Sequence, residues 1–478
     1  MILIKKDFKI ATVLPYKENY SHNKASAASL WVSEFYKNSK YKKKNFIYGN
    51  TKYKNYLTKN YKNILLKSIN SKLKSSTNEY CDKLIEEFKI KKYDLIEIHN
   101  RPLILKRIAN KIKSNYIFYF HNDPISMKGS ISTDERLWIL NNVEKIIFVS
   151  EYVRNRFFIN LDEKLRAKTE VVYPSVNKVK LKKKYKYITF VGKLNSSKGY
   201  DIFEKSIVKI LDEFSDWKAF SIGDEDRRSI YIKHQNHNEL GFISHAKVLN
   251  LLNKSEIAVT PSRWEEPFGR TALEATSRGC ATIISQKGGL PETSDHTHKL
   301  KKINSNELYK SIKKIILNKH YRKSLQLKSS KNIKHLIKNN TITIDRIRLE
   351  CMPISNFNII KNKLKILNIY NQGQKLDHRL YNISIGKKFS NGFIRNGHDV
   401  LEISDRDFIK SNRSFSWNST KQTFQKHLIE TFKNYNPDIL FFGHTQNIKR
   451  DTIKEFKNLN DNVIISQWNE DPVMKSLG

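Results

Sequence analysis

Short apolar runs, among them KIATVLPY, DLIEIHN, YIFYFHN, IIFVSEY and YITFVG, recur along the first 345 positions, separated by longer stretches whose apolar residues return at helical spacing. Such alternation predicts parallel sheets flanked by helices, and it occurs twice. The chain therefore reads as α/β, with two Rossmann-like domains facing a cleft, over residues 1–178 and 179–352. The first ends near Tyr173 and Pro174, the lysine-rich LKKKYK is the connector, and the alternation of the second runs to about Lys338. After Pro353 the pattern starts afresh: KLKILNIYN is a strand, LYNISIGKKFSNGFIRNG a helix ending in Gly397, and HDVLEIS and NPDILFFGH are further strands before IISQWNEDP. That is a third Rossmann-like domain, over residues 361–478.

The polar residues set into this frame carry the chemistry. In PSRWEEPFGRTALEATSRGCATIISQKGGLPE, Glu266 and Glu274 stand eight positions apart. If helical, that interval spans roughly 12 Å with the carboxylates some 80° apart around the axis, suited to a ligand with two hydroxyl-rich ends such as a nucleotide sugar. Carboxylates accept strong hydrogen bonds from hydroxyls, and the amides of Phe268, Gly269 and Arg270 at a helix start can approach a ligand where glycine removes a side chain. In YITFVGKLNSSKGYDIFEKSIVKILDEF a strand ends at Gly192, and a turn with Lys193 and Lys198 feeds an amphipathic helix beginning near Gly199. Two ammonium groups beside a positive helix terminus make a cradle for a diphosphate leaving group. Upstream, His99-Asn100 and His121-Asn122 each end a strand, where open α/β sheets bind ligands.

The order EPFG, LEA, RGCATI, GGLPE resembles the donor-site motif of family 4 retaining glycosyltransferases, which have the GT-B fold, and the resemblance covers roughly the first 345 residues. It implies transfer of a sugar from a nucleotide-diphosphate sugar with retained configuration, no cofactor and no obligatory metal. It further implies that Lys193 and Lys198 stabilise the departing diphosphate, Glu266 orients the sugar hydroxyls, Glu274 holds the ribose and His121 positions the reacting carbon, with Gly192, Phe268, Gly269 and Arg270 on the donor. His99, Asn100 and Asn122 are expected on the acceptor side, and Ser150 and Pro174 are expected to be structural. No covalent nucleophile is implied; a donor phosphate oxygen accepts the acceptor's proton in a same-face displacement. The chain departs from the family twice. Lys193 stands where arginine is usual, losing the fork geometry, and Ser26-Ala27-Ala28 follow the 17–24 loop where adjacent glycines are common. A helix around Asp345 to Glu350 is expected to cross back to the first domain. The third domain is similar to the N-terminal half of a CgeB-like GT-B glycosyltransferase, which makes a fragment of a tandem transferase the expected reading and a domain that only binds the alternative.

Asp224-Glu225-Asp226 and Asp405-Arg406-Asp407 both fit the short D-x-D pattern of metal-dependent transferases and are read as loop carboxylates. The net charge of +41 on 478 residues raises a nucleic-acid-binding or scaffold protein as the rival, yet lysine is spread widely, with short runs at 42–44 and 182–184. No nucleic acid is expected as a partner; a glycan or lipid-linked acceptor is, in polysaccharide or lipopolysaccharide synthesis, with peripheral contact to an anionic membrane. A GT-B sugar-nucleotide epimerase is the nearer rival in fold. Cys81, Cys280 and Cys351 suit reduced thiols, and lysines interrupt the N-terminal apolar run, so a cytoplasmic protein is expected.

Overall fold

The computed structural model describes residues 2–5, 8–66, 75–225, 230–352, 357–360, 363–373, 384–413, 417–443, 445 and 447–468. Within the unit Lys6–Asn356, the first sheet orders its strands as Tyr61–Asn63, Asn45–Gly49, Ile10–Val13, Leu95–His99, Asn115–Phe120, Lys145–Phe148 and Thr169–Val171, every pairing parallel. Strands such as Leu95–His99 are buried along their whole length, as a parallel sheet covered on both faces demands. The helices begin at side-chain caps read directly from sequence: Ser26 accepts from the Ser29 amide, and Ser132 and Glu135 form a reciprocal capping box.

The second sheet orders His237–Glu239, Lys218–Ile222, Tyr185–Val191, Ser255–Thr260, Ala281–Ile284 and His298–Lys299, again parallel. Helix Tyr200–Glu213 packs on it through Ile202, Phe203, Ser206, Ile207, Ile210 and Leu211, one stripe of a 3.6-residue period. Helix Ile337–Glu350 returns to the first sheet, as expected. Its Arg348 grips Glu97 with two hydrogen bonds of 2.8 Å, both groups almost fully buried, and its Asp345 accepts from the Ser39 hydroxyl at 2.6 Å and the Lys40 amide at 2.9 Å.

A separate unit holds the parallel order Asp399–Ile403, Lys365–Ile369, Ile439–Phe442, Ile464–Gln467. Helix Ile385–Arg395 precedes Gly397, whose φ of 86° ends it in the left-handed region. The LYNI start of the expected helix, His444 and the NEDP that follows Trp468 lie outside the described residues. One assignment changes: Ile2–Lys5, grouped by sequence with the first domain, pair antiparallel with Phe357–Ile360 in this unit. Both are short, largely apolar strands, and sequence spacing alone does not distinguish partners so far apart.

Candidate active site

A cavity of about 340 Å³ lies between the two sheets of the unit Lys6–Asn356, lined by residues of both. From the first come Asn100, His121 and Asn122 at strand ends, with Ala27, Ala28 and Trp31 of helix Ala27–Asn38; from the second come Gly192, Lys198, Trp264, Glu266, Phe268, Gly269 and Arg270. Nine of the twelve residues singled out by sequence therefore share one cavity; His99, Lys193 and Glu274 do not line it.

The lysine turn is built by local rules. Asn195 accepts from the Lys198 amide at 3.1 Å, closing a short 3-10 turn over Ser196–Lys198, and Gly199 follows with φ 74°. A Cβ there would stand 2.2 Å from the Pro261 carbonyl oxygen, so glycine lets the turn and the PSRW segment touch. Lys198 Nζ consequently donates to Glu266 Oε1 at 2.7 Å and lies 4.1 Å from the Trp264 ring centroid. Lys193 points into solvent.

Glu266, Pro267 and Phe268 run as non-helical backbone, and the helix starts only at Arg270, behind Gly269 with φ 103°. The interval from Glu266 to Glu274 is thus half loop and half helix, and the purely helical ruler does not describe it. A Cβ on Gly269 would meet Leu290 Cδ2 at 2.3 Å, and the Gly289 amide donates to the Glu266 carbonyl at 2.7 Å; GGLPE therefore braces EPFG from behind. Glu274 is buried, accepting from Arg270 Nε and bonded to His245 Nε2, each at 2.8 Å. Burial pushes its carboxyl up, but Arg270 and His245 outweigh that and hold it at about 2. Arg270 also reaches Glu34 on helix Ala27–Asn38, an ion pair that crosses from one domain to the other.

On the opposite wall Asn100 adopts φ 57°, and its Oδ1 accepts from the amides of His121 and Asn122 at 3.2 Å each, shaping the loop that presents both. His99 is 1% exposed. It stacks on Tyr119 at 4.2 Å between centroids, and its Nδ1 lies 2.8 Å from His121 Nε2. Burial drives both rings well below the ordinary histidine range, His121 to about 3.

Several contributors went unread in the sequence. Glu292 accepts from the Glu151 and Tyr152 amides at 2.8 Å each, capping a first-domain helix from the second domain, beside Ser150, which was expected to be structural and donates to the Pro267 carbonyl at 2.5 Å. Trp264 and Glu34 carried no signal beyond residue type, and His245 none beyond its place at a helix start. In the 17–24 loop Glu18 lines the cavity and Lys24 reaches Asp224 at 3.7 Å. Glu225 accepts from Asn195 at 2.8 Å, and Asp226 lies outside the described residues. Asp405 and Asp407 are buried at the start of helix Asp405–Ser411, where Asp407 accepts from Ser404 and Asp405 from Asn447.

Residues 174–344 match the family described as glycosyl transferases group 1. Spore coat protein SA of Bacillus subtilis (strain 168) is 25% identical over 240 residues, 43% of this chain and 63% of that protein. The putative glycosyltransferase YtcC of the same organism is 26% identical over 253 residues, 45% of this chain and 61% of its own length. The chain thus spans a little over three fifths of these relatives. Anabaena Alr3699/HepE, solved in complex with UDP and glucose, superposes with a TM-score of 0.56 at 16% identity over 72% of this chain and 99% of that one. WaaG, a glycosyltransferase involved in lipopolysaccharide biosynthesis, does so at 0.53 and 11%, over 71% and 99%. The chain thus has the GT-B fold, and its residues 174–344 are similar to the glycosyl transferases group 1.

Proposed function

We propose that the chain moves a sugar, with retained configuration, from a nucleotide-diphosphate sugar to a glycan or lipid-linked acceptor. The observation that carries this is the convergence of His121, Lys198, Glu266 and the 268–270 backbone on one cavity between the two domains. The bond from the anomeric carbon to the diphosphate breaks as the acceptor oxygen bonds that carbon on the same face, and the acceptor's proton passes to the departing phosphate oxygen. Lys198 has three donors; one holds Glu266 and the others face the charge that develops on the diphosphate. Glu266 orients sugar hydroxyls, and His121 presents a neutral ring to the reacting carbon. Glu274 reaches the ligand chiefly through Arg270, which its carboxylate fixes against the cavity wall. Lysine charge does the work of a metal in this scheme. The neighbour solved with UDP and glucose supports a UDP-sugar as the first donor to test.

Peripheral contact with an anionic membrane belongs to the same proposal. Positions 35–78 contain no aspartate or glutamate, and Lys37, Lys42, Lys43 and Lys59 line a second, open cavity of about 490 Å³. Among the described residues no helix is long and apolar enough to cross a membrane. The test is thermal stability against UDP, GDP, ADP and dTDP and their sugars in EDTA. Ligand at ~100 times its dissociation constant adds about 2.7 kcal/mol. A shift with one base, lost in Lys198→Met, supports the reading; no shift with any donor overturns it.

A further inference from the structure

We propose that His99 is a positioning residue that locks His121 in the neutral tautomer with its proton on Nδ1, so that the cavity is offered a fixed N–H donor. This goes beyond the transferase reading but rests on it for the use of that donor.

His99 Nδ1 and His121 Nε2 face each other at 2.8 Å, and a hydrogen bond needs one proton between them. His99 is buried and His121 partly so, and desolvation lowers both pKa values so that the neutral forms dominate at pH 7, which leaves two arrangements. Either His99 donates and His121 carries its proton on Nδ1, or His121 donates and offers the cavity a bare lone pair. The surroundings favour the first. Because Nδ1 of His99 faces His121, its Nε2 is turned away and makes no hydrogen bond among the described residues; a buried N–H left there without an acceptor costs more than a bare lone pair, so the proton of His99 belongs on Nδ1. His99 is itself immobilised: Tyr119 stacks on it with ring planes 9° apart, the Tyr119 hydroxyl donates to Glu97 at 2.9 Å, and Glu97 is held by Arg348. Trp31 packs edge-on against both histidines at 5.7 and 5.3 Å. The donor at the cavity wall is therefore set from behind by His99 and the Tyr119–Glu97–Arg348 chain that holds it.

The test is the ring-nitrogen NMR spectrum of histidine-labelled, ligand-free protein at pH 7, with His121→Gln for assignment. We expect His121 as a single neutral tautomer protonated at Nδ1. His99→Phe keeps the stacking and removes the nitrogen, and should give mixed tautomers; His99→Gln, whose amide can donate, should restore one. With UDP-glucose as donor, His99→Phe should lower kcat roughly 10- to 100-fold, the scale of a misplaced catalytic group, leaving the UDP dissociation constant within about twofold. Wild-type His121 protonated at Nε2, or His99→Phe with an unchanged tautomer, would overturn the proposal. An absence of turnover with UDP-glucose in the wild type bears on the transferase reading alone, because the tautomer is read without ligand.

Discussion

Replacing Lys198 by methionine separates what the lysine does for the fold from what it does for the ligand. Its side chain retains 22% of its surface and that of Glu266 only 10%, so the 2.7 Å pair is largely desolvated. Breaking a fully buried pair costs about 3–5 kcal/mol because one charge is left without a partner, and the residual exposure here brings Lys198→Met down to about 2–3 kcal/mol. Most of that cost is the stranded Glu266 carboxylate. Adding Glu266→Gln should therefore return about 1 kcal/mol or more, a coupling readable in a double-mutant cycle by thermal unfolding. Activity should behave oppositely. Loss of one preorganised charge facing the diphosphate lowers turnover on the order of 10²–10³-fold, and the second substitution cannot restore it. A double variant less stable than the sum of the singles would refute the stranded-charge argument, and wild-type turnover in Lys198→Met would refute the leaving-group role.

Gly269→Ala should cost about 2–5 kcal/mol, since the new Cβ meets Leu290 at 2.3 Å on a backbone with φ 103°; Gly241→Ala, with φ 60° and open space around its Cβ, should cost only about 1–2 kcal/mol. Similar melting temperatures for the two would contradict the bracing of EPFG by GGLPE. Glu274 is held at about 2, down from the ordinary 4.5; a depressed carboxyl stabilises above its unfolded value, so about 3 kcal/mol is lost as pH falls from about 4.5 toward 2. Glu274→Gln should flatten that acid limb in a melting-temperature series, and an unchanged limb would assign it elsewhere. Neutralising Lys37, Lys42, Lys43 and Lys59 together should weaken sedimentation with anionic vesicles by up to about 4 kcal/mol at low salt, with no effect on neutral vesicles; equal binding by the variant would remove this face from the membrane contact.

What was legible followed from local chemistry. Strand ends, the turn before Gly199 and the helix start at Arg270 are each set by residues within a few positions, and the residues placed there by sequence arrive in the cavity. Misplacements arose where the partner is remote. The i, i+4 spacing of Arg270 and Glu274 is local, but nothing in ALEAT says that the carboxylate also meets His245, or that His99 sits behind His121 instead of beside it. A lysine after a strand looks alike whether it faces a cleft, as Lys198 does, or solvent, as Lys193 does. Ile2–Lys5 failed for the same reason: their partner strand begins at Phe357.

The remote contacts share a character that bears on how the site works. Several join the first and second domains by charge, among them Arg270 to Glu34, Glu292 to the amides that start helix Glu151–Phe157, and Arg348 to Glu97. They differ in burial. Arg348 and Glu97 retain 5% and 1% of their side-chain surface, so this pair fixes the returning helix permanently to the first sheet, where opening would strand two charges. Arg270 and Glu34 keep 12% and 22%, and Arg270 lines the cavity itself. Their separation costs less than opening the Arg348 pair, on the scale of the Lys198–Glu266 pair. One domain is thus riveted at the helix and latched at the cleft. The latch residue, Arg270, is also the one that Glu274 orients: Nε donates to Glu274 and Nη2 to Glu34, so a ligand that shifts the guanidinium would loosen the latch. A ligand held by Arg270 would thereby be coupled to the grip between the domains through that single side chain.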